Sequence, residues 1–194
     1  KQFKIFGMYL DIDISLIVVL FVFFASGYIK NILVSFLAVL LHEAAHAVVA
    51  KLLGYKIERI KMFALGGVVV IKESLFVSLP QYILIALSGP LANFLVSFLA
   101  LGISNILKQN IFLWEIFIYS NIVIGIFNLL PIFPLDGGQI IKECMAHFMG
   151  IKKSIKVLVV SSTILSIVLF MAGCYATKYH PLNIMISVVA IFLY

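Results

Sequence analysis

Charged residues are scarce in this sequence. Only 11% of its 194 residues are Asp, Glu, Lys or Arg, whereas 64% are hydrophobic and the mean hydropathy is +1.21. A soluble domain is about half apolar and about a quarter charged, so an ordinary soluble globular protein is excluded. The composition predicts an α-helical polytopic membrane protein, in which lipid replaces water as the solvent around most side chains.

Cysteine is almost absent, with only Cys144 and Cys174. The apolar pattern places these two residues on opposite sides of the predicted membrane. A disulfide requires Cα atoms within about 7 Å of each other. We therefore expect neither a disulfide framework nor a cysteine metal site.

Six apolar segments follow one another along the chain and predict about six transmembrane helices. The last segment is shorter than the roughly 20 residues that a bilayer requires, which predicts a shortened final span. The gap at 105–112 is too short for a PDZ domain and no CBS domain fits before residue 194, so residues 1–194 are predicted to form a single membrane-embedded domain. The segments cover about 12–29, 32–53, 82–105, 112–134, 155–174 and 182–194.

The basic residues lie in the gaps between these segments, so the net charge of +6 does not predict a nucleic-acid partner. Cytoplasmic loops of membrane proteins carry an excess of Lys and Arg. If the N-terminus is cytoplasmic, only Lys30, Lys108 and Lys178 lie outside, and this asymmetry predicts that orientation. The basic residues then inside are Lys1, Lys4, Lys51, Lys56, Arg59, Lys61, Lys72, Lys142, Lys152, Lys153 and Lys156.

Two stretches have the pattern of strands rather than of spanning helices. Apolar and polar residues alternate in MYLDIDI, residues 8–14, which is typical of a strand. Residues 55–73 contain two β-favouring runs, about 56–63 and 68–73, around Gly66-Gly67, which predicts a hairpin with a glycine turn. Both stretches fall on the cytoplasmic side, where we expect a small β-sheet.

A run of apolar residues carries the motif HEAAH at residues 42–46. An ionisable group at membrane depth costs at least ~2.5 kcal/mol on insertion scales, so it indicates function. On a helix, His42 and His46 lie one turn apart on one face and can bind one zinc ion. Glu43 then stands beside the first ligand, where it can act as a general base on water.

A catalytic zinc ion takes three protein ligands, so a third is required. His180 is predicted on the outer side and His147 in a solvated cytoplasmic stretch. Asp136 is the better candidate, because it lies near the end of the segment NLLPIFPLDGG, residues 128–138, in which Pro131 and Pro134 interrupt the helix. Broken backbone at membrane depth occurs where it is buried in protein or lines a cavity.

HEAAH in an early span together with LDGG after a proline-broken span resembles the site-2 protease family of intramembrane zinc metalloproteases. The resemblance extends from about residue 8 to Gly138. It implies Zn²⁺ bound by His42, His46 and Asp136, with Glu43 as the catalytic base. The family's proline-aspartate pair is Leu135-Asp136 here, with proline at 134 instead. The compact plan is most similar to the sporulation proteases that process a sigma-factor precursor.

The segment SGPLANF, residues 88–94, matches a further element of that family. The resemblance implies that Gly89-Pro90 breaks the third span and that Asn93 orients the substrate or stabilises the oxyanion. A buried amide between membrane helices is equally often an interhelical hydrogen bond, so both roles stay open for Asn93. For Asn121 and Asn128 the interhelical role is favoured over substrate contact.

The resemblance also implies a hairpin that receives the substrate, formed here by Gly66, Gly67, Val68, Val69 and Val70. A plain structural cap over the helix ends is the alternative for this hairpin. The implied partners are a membrane-associated protein substrate, the lipid bilayer and inhibitory membrane proteins. The implied location is a plasma or inner membrane, with the active site facing the cytoplasm.

A different class of function remains open, namely a membrane metal carrier or a degenerate protease that only binds partners. A carrier does not require Glu43 between two metal ligands, and a degenerate protease should have lost one of the three motif residues. Both considerations favour the protease.

Overall fold

The structure is a computed structural model that describes residues 2–5, 8–63, 66–71, 77–107 and 112–178, together with residues 187, 190 and 191. The chain divides into two compact units, Lys1–Phe127 and Asn128–Tyr194. The predicted span at 182–194 lies outside the described residues except for the last three positions just named.

A four-stranded sheet forms one part of the first unit. Its strands are β1 (Gln2–Ile5), β2 (Met8–Ile12), β3 (Ile57–Phe63) and β4 (Gly66–Ile71), in the order β1-β2-β3-β4. The β1–β2 and β3–β4 pairs are antiparallel, and the central β2–β3 pair is parallel. The predicted strand and hairpin are confirmed, and β1 is an addition that the sequence pattern did not indicate.

Two helices connect the parallel strands β2 and β3, since parallel neighbours require a crossover. They are α1 (Ile14–Ala25) and α2 (Ile29–Leu52). Asp13 caps α1: its carboxylate accepts a hydrogen bond from the Ser15 backbone N–H at 2.9 Å. Its own backbone N–H donates to the carbonyl of Met62 in β3 at 3.0 Å, which fixes the start of the helix to the sheet.

A small apolar core joins this helix pair to the sheet. Leu16 of α1, Ala47 of α2, and Ile60 and Met62 of β3 are buried together, and Val69 of β4 packs against them. Each residue buried here contributes by removing apolar surface from water, at about 25 cal/mol per Å². The core holds β4 against α2, the helix that carries the histidine pair.

The remaining helices of the first unit are α3 (Leu79–Leu107) and α4 (Phe112–Asn128). Among the described residues, three helices are long and apolar enough to cross a membrane, namely Ile29–Leu52, Leu79–Ser104 and Ile151–Ala176, while α1 and α4 are apolar but shorter. The α-helical membrane protein with a small sheet that the sequence predicts is therefore confirmed in its class.

Exposed and buried side chains are distributed as lipid requires rather than as water requires. Phe98 is 74% exposed and Met171 is 67% exposed, whereas Asn93 and Asn121 are fully buried. Large apolar patches at a protein surface mark contact with a membrane or a partner. The buried amides meet each other and backbone carbonyls, which removes their polar groups from lipid.

The second unit contains α5 (Asp136–Met149) and α6 (Ile151–Ala176), joined at Gly150, whose φ of +82° favours glycine. Residues 129–135 precede α5 without regular structure. The backbone N–H of Phe133 donates to the Ser162 hydroxyl of α6 at 2.9 Å. A Cβ at Gly137 would lie 2.3 Å from the Leu129 carbonyl oxygen, so this segment packs directly on the first turn of α5.

Two helix boundaries differ from the prediction. The fourth predicted span, 112–134, ends as a helix at Asn128, because the two prolines that follow lack an N–H and restrict the residues before them. The expected break at Gly89-Pro90 is wrong: α3 continues through Pro90. One proline removes a single backbone hydrogen bond, and helical structure continues on both sides of it.

Candidate metal centre

The paired histidines of the HEAAH motif lie on the buried face of α2. His42 is 3% exposed and His46 is 7% exposed, and their Nε2 atoms are 3.0 Å apart. The rings are nearly perpendicular, with an interplanar angle of 87°. The spacing of four residues along a helix produces this arrangement, since residues i and i+4 share a face.

Each imidazole makes a hydrogen bond through its other nitrogen. His42 Nδ1 lies 2.6 Å from the amide oxygen of Asn93, and His46 Nδ1 lies 2.7 Å from the backbone carbonyl oxygen of Ile85. An amide oxygen and a carbonyl oxygen only accept, so each Nδ1 carries the hydrogen. Both Nε2 atoms therefore present lone pairs to the same point, which is the tautomer of a metal-binding histidine.

Asp136, the first residue of α5, is half-buried. It belongs to the second unit, and it stays the predicted third ligand that would complete the set begun by His42 and His46 of the first unit. Two imidazole nitrogens and one carboxylate are the ligand set of hydrolytic zinc sites.

The spacing of the two nitrogens also agrees with zinc. Zinc–nitrogen bonds of 2.0–2.1 Å at a tetrahedral angle separate two ligand nitrogens by about 3.3 Å. The observed Nε2–Nε2 distance of 3.0 Å is close to that value. The donor atoms that the structure describes thus fit zinc.

Glu43 lies between the two histidines in sequence and is 6% exposed. A Cβ at Gly67, in β4, would lie 2.5 Å from its Cγ and 2.8 Å from its Cδ. The strand backbone thus rests directly on the Glu43 side chain, which only glycine permits. This contact orients the carboxyl group of the candidate base and is not apparent in the sequence.

Gly89 makes the same kind of close approach to the histidines. A Cβ at this position would meet His46 Nε2 at 2.4 Å and His42 Cε1 at 2.7 Å. The smallest residue therefore lets α3 pack against both rings. The sequence shows Gly89 only as part of SGPLANF, and its role follows from the packing.

Asn93 lies in α3 beside His42, as the sequence predicts for a residue facing the site. Its amide hydrogens donate to the Ala38 carbonyl at 3.2 Å and to the amide oxygen of Asn121 at 2.8 Å. An oxyanion would have to displace one of these bonds, so the oxyanion role stays a prediction that the contacts do not favour. For Asn121 the favoured role, an interhelical hydrogen bond, is the one observed.

The predicted substrate hairpin has two different faces. Val68 is exposed, whereas Val69 packs on the core, as alternation along a strand requires. Gly66 and Gly67 are the first residues of β4 rather than the turn, so that part of the hairpin prediction is wrong. Both glycines take part in the sheet, where Gly66 stands opposite Phe63 and Gly67 opposite Met62 of β3.

The two other histidines behave differently from the pair. His147 lies exposed in the last turn of α5, with its ring edge against Phe148. The choice of Asp136 over His147 as the third ligand stays a prediction. His180 lies outside the described residues.

The sequence is similar to known zinc metalloproteases. The family model of peptidase family M50 matches residues 30–112 and 103–172. The chain is 29% identical over its whole length to a zinc metalloprotease of Methanocaldococcus jannaschii, and 29% identical over 87% of its length to stage IV sporulation protein FB of Bacillus subtilis. It covers 58% and 57% of those two relatives, so it spans about three fifths of their length.

A solved structure gives the same result for the fold. The site-2 protease from Methanocaldococcus jannaschii superposes with a TM-score of 0.80 at 28% sequence identity, over 100% of this chain and 91% of that one. The resemblance inferred from HEAAH and LDGG is thereby confirmed.

Proposed function

The chain belongs to peptidase family M50, and on that premise we propose that it is a zinc-dependent endopeptidase acting on a membrane-associated segment of a protein substrate. The observation that carries this proposal is the pair of imidazole Nε2 atoms of His42 and His46, which lie 3.0 Å apart on α2. Glu43 follows His42 directly in the same helix. A metal carrier does not need a buried carboxyl group at that position.

His42, His46 and Asp136 are the proposed zinc ligands. The Nε2 atoms of the two histidines, 3.0 Å apart, support a shared ion, and Asp136 is assigned from its place in LDGG, as the family resemblance implies. Bound zinc supplies Lewis-acid chemistry, because it polarises a peptide carbonyl and makes water easier to deprotonate near neutral pH. The tautomers held by Asn93 and Ile85 keep both imidazoles ready to bind without a proton transfer.

Glu43 is the proposed general base. Its carboxylate takes a proton from the attacking water as the water oxygen forms a bond to the peptide carbon. The same carboxyl group then donates that proton to the leaving nitrogen as the C–N bond breaks. Burial and the contact with Gly67 limit the positions open to the side chain, which favours proton transfer in a defined direction.

The substrate is proposed to bind in an extended form along β4, at residues Gly66–Val70. A helix shields its own carbonyls, so a membrane segment must unwind before hydrolysis. β4 ends the described strand order and offers backbone groups for strand addition, which replaces the hydrogen bonds lost by the substrate. Because Gly67 rests on Glu43, a strand added here passes close to the base.

The protein is a membrane protein, and its topology is part of the proposal. We place the N-terminus and the active site toward the cytoplasm, with about six spans, from the distribution of Lys and Arg. Residues 1–194 are proposed to act as one protease domain, since the family match runs through most of the chain.

The proposed substrate class is a membrane-associated protein. The similarity to a sporulation protein supports the sporulation subgroup, for which the resemblance read from the sequence implies a sigma-factor precursor as the specific candidate. Inhibitory membrane proteins are proposed as regulators, because a protease that cuts such a precursor requires control in time.

A paired substitution tests this function. We expect Glu43→Gln to lower cleavage of a membrane-anchored reporter by about 10²–10⁴-fold, the usual contribution of a general base, with bound zinc unchanged. Asp136→Asn should lower both cleavage and bound zinc, since a neutral amide is a weaker ligand than a carboxylate. Elemental analysis of purified protein and reporter cleavage in the same membranes are the measurements.

The control is Asp11→Asn, at a carboxylate of β2 that pairs with Arg59 at 3.5 Å and lies outside the candidate site. It should leave zinc content and cleavage unchanged. Wild-type cleavage by Glu43→Gln would remove Glu43 as the base. Zinc transport into vesicles without any cleavage would instead identify a carrier.

A further inference from the structure

We propose that Asn93 and Asn121 are positioning residues that fix the tautomer of His42 through a relay of two side-chain amides. The relay crosses from α4 through α3 to α2 and begins at a backbone carbonyl. This inference rests on the proposed zinc site, and it assigns both asparagines a function distinct from substrate contact.

The relay consists of three hydrogen bonds in series, all within the first unit. Asn121 Nδ2 donates to the carbonyl oxygen of Phe117, one turn earlier in α4, at 2.8 Å. Asn93 Nδ2 donates to Asn121 Oδ1 at 2.8 Å, and Asn93 Oδ1 faces His42 Nδ1 at 2.6 Å. Both asparagines are fully buried and His42 is 3% exposed, so water does not compete.

The first carbonyl gives the relay its direction. A backbone carbonyl cannot donate, so Phe117 requires the NH₂ group of Asn121 and turns the Asn121 oxygen toward Asn93. That oxygen, together with the Ala38 carbonyl oxygen at 3.2 Å, requires the NH₂ group of Asn93. The Asn93 oxygen is then left to face His42. A flipped amide at either position would place two acceptors against each other in a dry interior, which is strongly unfavourable.

His42 therefore has to carry its hydrogen on Nδ1 and its lone pair on Nε2. His46 reaches the same state with a backbone carbonyl, that of Ile85, which needs no further support. His42 depends on a side chain that could rotate or flip, and this difference explains why a second amide stands behind the first. Partners of this kind behind metal-binding histidines typically change metal affinity by about 10–100-fold when they are removed.

The oxyanion role of Asn93 makes a different use of the same amide. It requires an amide hydrogen that is free to meet substrate, whereas both hydrogens of Asn93 are donated within the helix bundle. The positioning role needs no rearrangement of these contacts.

Zinc affinity of the full chain in detergent, measured by competition with a chromophoric chelator, tests the relay. We expect Asn93→Leu to weaken zinc binding by about 10–100-fold, and Asn121→Ala to weaken it less but in the same direction. Because the two amides act in series, Asn93→Leu combined with Asn121→Ala should bind zinc no more weakly than Asn93→Leu alone. Two independent structural roles would instead give additive losses.

Two further variants separate positioning from packing. Asn93→Asp keeps an acceptor for His42 Nδ1 and should retain more zinc affinity than Asn93→Leu, which is similar in size but has no acceptor. Ser97→Ala is the matched control, because the Ser97 hydroxyl donates to the Ile118 carbonyl at 3.1 Å and so joins α3 to α4 without touching the relay. It should leave zinc affinity unchanged.

The tautomer itself can be observed without zinc. In ¹⁵N NMR spectra of the wild-type chain with labelled histidine, the metal-free His42 should show a protonated Nδ1 and an unprotonated Nε2, and Asn93→Leu should mix the two tautomers. Protonation of Nε2 in the wild-type chain would overturn the relay even if the variants fail to fold, as would wild-type zinc affinity in Asn93→Leu. If the wild-type chain binds zinc and the variants weaken that binding as expected, but no reporter is cleaved, the relay is confirmed and the protease function is refuted.

Discussion

At the scale of single residues, the glycine at position 89 shows how closely the candidate site is packed. A Cβ there would lie 2.4 Å from His46 Nε2, closer than real side chains approach. The rings have little freedom to withdraw, because each Nδ1 is held by a hydrogen bond of 2.6 or 2.7 Å. The site therefore depends on the absence of one methyl group.

We expect Gly89→Ala to force the imidazoles apart, at a cost of about 1–3 kcal/mol for an overpacked core, and to lower zinc affinity and cleavage together. Chelator competition and reporter cleavage measure the two effects. Gly102→Ala is the matched control in the same helix, since a Cβ at Gly102 meets nothing within 4 Å. Equal zinc affinity in the two variants would contradict the close contact.

The HEAAH motif could be interpreted from sequence alone because its spacing matches the helix period. The roles of Gly89 and Asn121 could not, because their contacts with residues of other helices depend on how those helices pack. A buried asparagine in the sequence signals that a hydrogen bond exists, but not with which partner.

At the scale of elements, strand β4 and helix α2 meet at Gly67 and Glu43. The alternative for the hairpin is a plain structural cap over the helix ends. The contact between Gly67 and Glu43 goes beyond that role. It supports the side chain of the candidate base, and the core residue Val69 holds the strand in that register.

Gly67→Ala should separate the base from the metal. The added methyl group would displace Glu43, because the Glu43 Cγ lies 2.5 Å from the position of a Cβ at residue 67. Cleavage should therefore fall by up to about 10²-fold, the lower end of a general base's contribution. Zinc content should stay at the wild-type level, because the ligands lie elsewhere.

Gly102→Ala, at a glycine of α3 where an added Cβ meets nothing within 4 Å, serves as the control for that comparison. A parallel fall in zinc content and cleavage for Gly67→Ala would show that the strand supports the metal ligands instead. Unchanged cleavage would show that Glu43 tolerates displacement.

Local chemistry predicts that the prolines at 131 and 134 interrupt the helix, but α4 ends at Asn128 rather than at the predicted residue 134. Pro131 and Pro134 end α4 early, as residues without an N–H must. Pro90 was expected to break α3 but does not, because a single missing hydrogen bond is small beside the contacts of a helix of 29 residues. α5 is not predicted from the sequence. Its 14 residues are too few to cross a membrane, and they mix polar with apolar residues, so they do not form an apolar segment.

At the scale of the whole molecule, the distribution of basic residues predicts the orientation in the membrane. Lys30 lies exposed in the first turn of α2, and Lys153 lies exposed in the first turn of α6. The positive-inside rule places the first outside and the second in the cytoplasm.

In a chain whose two cysteines are replaced by serine, Lys30→Cys should react with a membrane-impermeant maleimide added to intact cells. Lys153→Cys should react only after the membrane is permeabilised. Cleavage by both variants confirms that they fold. The reverse pattern of labelling would place the candidate site on the outer face and exclude a cytoplasmic substrate.

Composition and period by themselves settle the solvent and the helical class, and they select the candidate site residues, because both act locally and do not depend on packing. For that reason the spacing in HEAAH predicts that His42 and His46 share one face of a helix. Only the tertiary structure decided the tautomers of the histidines, the glycine contacts at positions 67 and 89, and the asparagine relay. Apart from the Asn121–Phe117 hydrogen bond within α4, those features are hydrogen bonds and contacts between residues 24 to 51 positions apart in the chain. Interactions of that range form only when helices and strands are packed at one distance and one rotation.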